Sequence, residues 1–278
     1  MRVIASANSN LSKADRNLMA TTDYAQYLAL DRILNAQNVK SDVHDELLFI
    51  IIHQTKELWL KQIIAELLFA KQMVQSDMPN GAYKNLARVS RIQTVMSASW
   101  DVLSTMTPAD YSGFRDGLGT SSGFQSAQFR RMEFLLGLKE NSHLSNHSAE
   151  DSAILKEALE GPSLWDDANA ALVRAGLLAE GEMAVQQRTE VHIPDIAVEE
   201  AWLKVYRDTE KWWDLYQLAE KLVDIDDSLA SWRHKHALTV ERIIGAKRGT
   251  GGSAGVSYLL GTVRKRCFPE LWSLRTKM

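Results

Sequence analysis

The chain has 278 residues, 45% of them hydrophobic and 24% charged, the balance of a globular protein with core enough for one or two domains. Its 32 basic and 35 acidic side chains leave a formal net charge of −3, which gives no general electrostatic drive toward nucleic acid or anionic lipid. The single cysteine, Cys267, excludes an intrachain disulfide, a multi-cysteine zinc site and an iron–sulfur cluster, and the longest apolar run, Leu47 to Ile52, is too short to span a bilayer.

The Ser/Asn/Ala-rich N-terminus lacks the apolar core of a signal peptide, so a soluble, cytoplasmic protein is expected. Prolines occur only at 79, 108, 162, 194 and 269, a punctuation too sparse for an all-β protein. Residues 23–38 read as a first helix capped by Asp23, and residues 43–76 as a second, with Asp42, Asp45 and Glu46 placing acceptors and negative charge at its start. Within that helix Leu47–Ile52 is apolar on every side, which predicts burial all round. Two more helices are expected over 81–104 and 124–138, followed by a polar connection over 139–163. Trp202, Val205, Tyr206, Thr209, Trp213 and Tyr216 recur at helical steps. Asp224–Asp227 is expected to break that helix, and Leu229, Trp232, His236, Val240 and Ile243 form the stripe of the next. No strand-period segment exceeds about five residues, so the fold class is all-α.

Seven histidines are the first candidates for chemistry, at 44, 53, 143, 147, 192, 234 and 236. The zinc-protease pattern His-Glu-x-x-His is absent, and the pair of Glu-x-x-His motifs of a di-iron bundle is reduced to one, Glu140 with His143. His143 and His147 are four apart but have no third ligand nearby. His236 lies on an apolar stripe, whereas His234 is rotated by about 200° and faces away. Such a ring is either a core histidine satisfied by a backbone carbonyl or, as in globin-like sites, an axial haem ligand. His53, one turn beyond Phe49, is structural or a neutral hydrogen-bonding group in a dry pocket. Arg115, in a loop of glycines and aromatics, either presents a planar fork to a carboxylate or pairs with its neighbour Asp116. The stretch Lys247–Gly255 lacks the order of a nucleotide P-loop, but its glycines suit a lid that closes over a ligand.

Six segments, in order, resemble the tryptophan 2,3-dioxygenase family: Tyr24 to Asp31, His44 to Lys61, Tyr111 to Asp116, Ser121 to Ser126, Trp232 to His236 and Lys247 to Ser253. The resemblance implies a helical-bundle subunit with one non-covalent haem b, O2 as co-substrate, and L-tryptophan opened to N-formylkynurenine. Carried over by position, His236 is the axial ligand of the haem iron, and Ser122 and Gly123 lie close to the haem. His53 is the catalytic distal residue near the indole nitrogen. Phe49, Ile50, Ile51 and Ile52 line the indole pocket, and Arg115 clamps the carboxylate with Tyr111 nearby. Thr250 holds the amino-acid end. Tyr24, Tyr27 and Leu28 reach a neighbouring subunit of a homotetramer. Residues 1–20 are then a tail and 21–278 one catalytic domain, with a variable insertion near 139–196. Val43, where many bacterial members carry His, and Ile52, where they often carry Gln, depart from the pattern. They leave open a one-oxygen insertion into a substituted tryptophan or another indole.

Overall fold

The structure is a computed structural model that describes residues 23–144, 147–181 and 188–278. The expected tail over 1–20 lies outside the described residues, as do parts of the 139–196 segment and the side chain of His143. The chain divides into two compact units, Met1–Lys40 and Ser41–Met278. Among the described residues there are helices and turns but no strand, the all-α class expected.

In the first unit Asp23 caps helix α1 (Tyr24–Tyr27), its carboxylate accepting the Gln26 N–H at 2.7 Å. The single helix expected over 23–38 does not form. Ala29 takes a left-handed conformation (φ 50°) that ends the first turn and starts α2 (Leu30–Leu34). Tyr24 and Tyr27 are 75% and 78% exposed within this unit.

The second unit is built from α3 (Asp45–Gln75), α4 (Tyr83–Leu103), α5 (Pro108–Arg115), α6 (Ala127–Leu136), α7 (Ala149–Glu160), α8 (Leu164–Arg174), α9 (Ile196–Arg207), α10 (Trp213–Ile244), α11 (Val256–Thr262) and α12 (Pro269–Ser273). Helix α4 packs between α3 and α10. Tyr83 hydroxyl meets the Asp214 carbonyl, Ser90 hydroxyl the Asp224 carbonyl, and Trp100 the ring of Trp232, so α4 and α10 run in the same direction. Glu66 meets Arg88 while Lys56 meets Trp100, so α3 runs opposite to both. Ile63 and Leu67 of α3, Leu86 and Val89 of α4, and Leu218, Leu222 and Ile225 of α10 are fully buried between them. This is the apolar mass that holds the three long helices together.

Three expectations need correction. The section Leu47–Ile52 is not buried all round: Ile52 is in the core, but Leu47 and Ile51 are 44% and 40% exposed on the outer face of α3. Residues 139–163 are more than a polar connection. They contain α7, capped by Ser148, whose Leu155 and Leu159 bury against Phe134 of α6 as a small second core. The break expected at Asp224–Asp227 falls earlier, at Asp208–Trp212, and α10 runs through the acidic run for 32 residues. Asp226 is fully buried there. Its carboxylate accepts the Cys267 N–H at 3.1 Å and the Trp272 indole N–H at 2.9 Å, partners that lie far along the sequence.

Two buried ionic groups lock the helices laterally. Glu133 of α6 accepts from Arg233 of α10 at 2.7 Å and from Arg130 at 2.5 Å, and Lys71 of α3 donates to Asp167 of α8 at 2.6 Å. Breaking a buried pair from one side strands a charge and costs roughly 3–5 kcal/mol. Glu133→Ala leaves two buried guanidiniums without a counter-charge, so urea unfolding should show a stability loss of roughly 3–5 kcal/mol. A loss below about 1 kcal/mol, the scale of a surface pair, would contradict this role.

Candidate functional site

The site begins with two imidazoles on antiparallel helices. On α3 the His53 Nδ1–H donates to the Phe49 carbonyl one turn back, at 2.7 Å, which leaves its Nε2 lone pair free. Burial, reinforced by the nearby Lys56, pushes the His53 pKa down to about 4 against the opposing pull of that hydrogen bond. On α10 burial, followed by Lys56 and His53, pushes His236 down to about 3. Both rings are therefore neutral at physiological pH. No hydrogen bond to the His236 ring is found among the described residues, so its backbone-satisfied reading does not hold. His234 is exposed, as its rotation predicts.

His53 and His236 line one cleft of about 390 Å³, counting its opening to solvent. Phe49, Trp100, Met106 and Tyr111 form much of its wall, an apolar surface with a few polar groups, as small-molecule sites commonly have. The Phe49 ring lies 4.2 Å from His53 and 5.5 Å from Phe114, and Tyr111 packs on Phe114 at 5.3 Å. Trp100 stacks flat on His236, with ring centres 4.3 Å apart and planes 8° apart. Helix α5, which brings in Tyr111, starts at Pro108 with Thr107 and Asp110 capping each other. Gly113 of that helix is required by Val43, whose methyl would lie 2.9 Å from any added Cβ.

A second cluster sits where the two glycine-containing loops meet. Arg115 does not pair with Asp116; its guanidinium donates to the Arg248 carbonyl at 2.7 Å. Thr250 hydroxyl donates to the Ser121 carbonyl at 2.6 Å. Gly251 lies so close to Ser122 that an added Cβ would fall 2.5 Å from the Ser122 hydroxyl, which only glycine allows. An added Cβ at Gly123 would meet nothing. The loop expected to act as a lid is thus seated on the 115–122 segment. Burial raises the Tyr111 pKa while Arg115 opposes the rise, so the guanidinium lies beside the phenol and links this cluster to the cleft.

The structure thus brings Phe49, His53, Tyr111 and His236 to one cleft and gathers Arg115, Ser122 and Thr250 nearby in a second group. It does not bring Ile50, Ile51 or Ile52 to the cleft wall: Ile50 is half-buried, Ile51 is exposed and Ile52 belongs to the core. Tyr24, Tyr27 and Leu28 lie in the first unit, each at least 36% exposed.

Sequence reasoning missed Trp100, Met106 and Lys56. The amine of Lys56 lies 2.7 Å above the Trp100 ring, and burial lowers its pKa to about 6. Its signal was a lysine one turn after His53 on the helix face that Ile52, Leu60 and Ile63 otherwise keep apolar. Among the described residues no three His, Cys, Asp or Glu side chains converge as a metal cage. No described helix is long and apolar enough to cross a membrane.

The family model described as tryptophan 2,3-dioxygenase matches residues 8–201 and 187–278 of the chain. A tryptophan 2,3-dioxygenase of Caulobacter vibrioides is 61% identical over 257 residues, covering 92% of this chain and 98% of that protein. One from Bacillus thuringiensis is 50% identical over 257 residues, covering 92% of each chain. Another, from a Polaromonas species, is 48% identical over 268 residues, covering 96% of this chain and 91% of its own. Matches of this extent, spanning both histidine helices and both loops, show that the chain belongs to the tryptophan 2,3-dioxygenase family.

Proposed function

We propose that this chain opens the indole pyrrole ring of L-tryptophan with O2 to give N-formylkynurenine, at a haem b held non-covalently by His236. The observation that carries this reading is the pair of neutral imidazoles, from opposed helices, on the wall of one apolar cleft. The residues fit the cofactor: His236 keeps a neutral ring without a hydrogen-bond partner among the described residues, its surroundings are aromatic and aliphatic, and it would hold the haem iron. When bound, the haem supplies a redox-active iron that activates O2.

The chain's own residues bind, orient and exclude water. With Nδ1–H committed to Phe49, His53 offers Nε2 as an acceptor for the indole N–H. Its depressed pKa makes it a weak base, suited to holding the ring in register rather than removing a proton. Phe49 packs against the indole. Arg115, on exchanging the Arg248 carbonyl for a stronger acceptor, clamps the substrate carboxylate, and Thr250 supports the amino-acid end. Ser122, which packs against Gly251, and its neighbour Gly123 would border the cofactor. Nothing in the cleft or among the relatives favours insertion of a single oxygen.

The active form proposed is a homotetramer in which Tyr24, Tyr27 and Leu28 complete a neighbour's pocket. Support comes from their exposure and from Leu47, Ile51, Leu58, Leu68 and Phe69 of α3, all at least 40% exposed in the single chain. Sedimentation velocity of the purified protein should give the tetramer mass, and a stable active monomer would contradict the arrangement.

Reduced holoenzyme given tryptophan and labelled O2 should form N-formylkynurenine carrying both labelled atoms. A product with one label would replace ring opening by a one-oxygen reaction. In the same assay His236→Ala should lose the haem Soret band. Arg115→Ala should keep the band but lose roughly ten- to a hundredfold in kcat/KM, the worth of a charge-assisted hydrogen bond of about 1.5–3 kcal/mol. Indoles lacking the carboxylate should barely distinguish Arg115→Ala from wild type; an equal loss on those substrates would make Arg115 a fold residue.

A further inference from the structure

Lys56 is 6% exposed, on α3 one turn beyond His53, and its amine has no hydrogen-bond partner among the described residues. Among the described residues the amine lies over the face of Trp100. That ring in turn stacks on His236, so a single indole separates the amine from the imidazole assigned to the haem iron.

Lys56 is not an isolated orphan. The Trp100 indole N–H is buried without a partner, as is that of Trp232, whose ring lies 5.6 Å from Trp100. Gln93 and Ser97, seven and three residues before Trp100 and on the same stripe of α4, also carry buried polar atoms without partners among the described residues. A buried polar group left unsatisfied destabilises the fold, and an unpaired charge does so more. Cores satisfy the great majority of such groups, so several collected beside the cleft mark the position of a missing partner. What the cluster holds in excess is donors, one of them an amine that an adjacent anion would protonate. Its complement is an anion with acceptor oxygens, and a carboxylate meets both requirements.

We propose that Lys56 anchors the cofactor by pairing its ammonium with one propionate carboxylate of the haem, with the Trp100 indole N–H as a second donor. The proposal rests on the haem reading above. It explains why a lysine is kept in an apolar helix face beside the cleft: bound cofactor supplies the counter-charge that the described residues do not.

The test compares haem with its dimethyl ester, in which both propionates are uncharged, by Soret titration of the haem-free full-length protein. Wild type should bind haem more tightly than the ester. Lys56→Met should weaken haem binding at least tenfold, leave the ester unchanged, and raise the unfolding midpoint of the haem-free chain by removing a buried amine without a partner among the described residues. Lys56→Gln, which keeps a polar chain without charge, should match Lys56→Met in binding, and Lys56→Arg should keep the preference for haem. If neutral variants weaken haem and ester equally, or neither, Lys56 only packs on Trp100 and the proposal is overturned. If wild type binds the ester and haem alike, the propionate pairing is wrong although the haem reading stands. If wild type binds neither, both fail together.

Discussion

A carboxylate sealed from water sets the length of the helix on which the site depends. Asp226 lies at the middle of α10, where an acidic run exposed to solvent would favour a break. Burial pushes its pKa up, and the N–H groups of Cys267, Phe268 and Trp272 work against that rise by bonding the oxygens. The C-terminal segment thereby satisfies the helix, and the helix pins the C-terminal segment. Because α10 continues unbroken, Arg233 reaches Glu133 on α6 one turn before His236 reaches the cleft. A break at Asp224–Asp227 would uncouple that imidazole from the packing of α4 against α10.

The chemistry of the cleft follows from the same burial. Water removal penalises charged imidazoles, and an adjacent lysine penalises them again, so both histidines are held neutral well below their ordinary range. The two rings are then told apart by their partners. His53 has its Nδ1–H committed to a backbone carbonyl and can only accept at the other nitrogen, which suits an indole N–H. His236 is touched by a stacked Trp100 and a tilted Trp232, surroundings that suit ligation. Function here comes from environment more than from residue type, since His44, His147, His192 and His234 do not line that cleft.

Much of this was legible in the sequence, for physical reasons that also explain the misses. The apolar stripes of the long helices carry a 3.6-residue period, so α3, α4 and the second half of α10 and the facing of His236 could be read directly. The two glycine-containing loops could be picked out by composition, and they meet in space as one cluster. Partners distant in sequence could not be read. The acidic run of α10 continues because residues some forty positions later bond Asp226. Helix α7 is polar in sequence because only a narrow face, Leu155 with Ala158 and Leu159, is buried. Ile50 to Ile52 were carried to the substrate pocket together with Phe49 and His53 as one matching segment of the family. A helix turns 100° per residue, so consecutive side chains cannot share one wall, and only Phe49 and His53 of that stretch reach it.

The central claim is that the fold holds two neutral imidazoles in one cleft, each with a different free role. Nitrogen-15 NMR of histidine-labelled, haem-free protein between pH 8 and pH 5 tests it directly. The account predicts that His53 and His236 stay neutral across that range, with the proton of His53 on Nδ1 throughout. Titration of either ring near the ordinary histidine value of about 6.5 would contradict it.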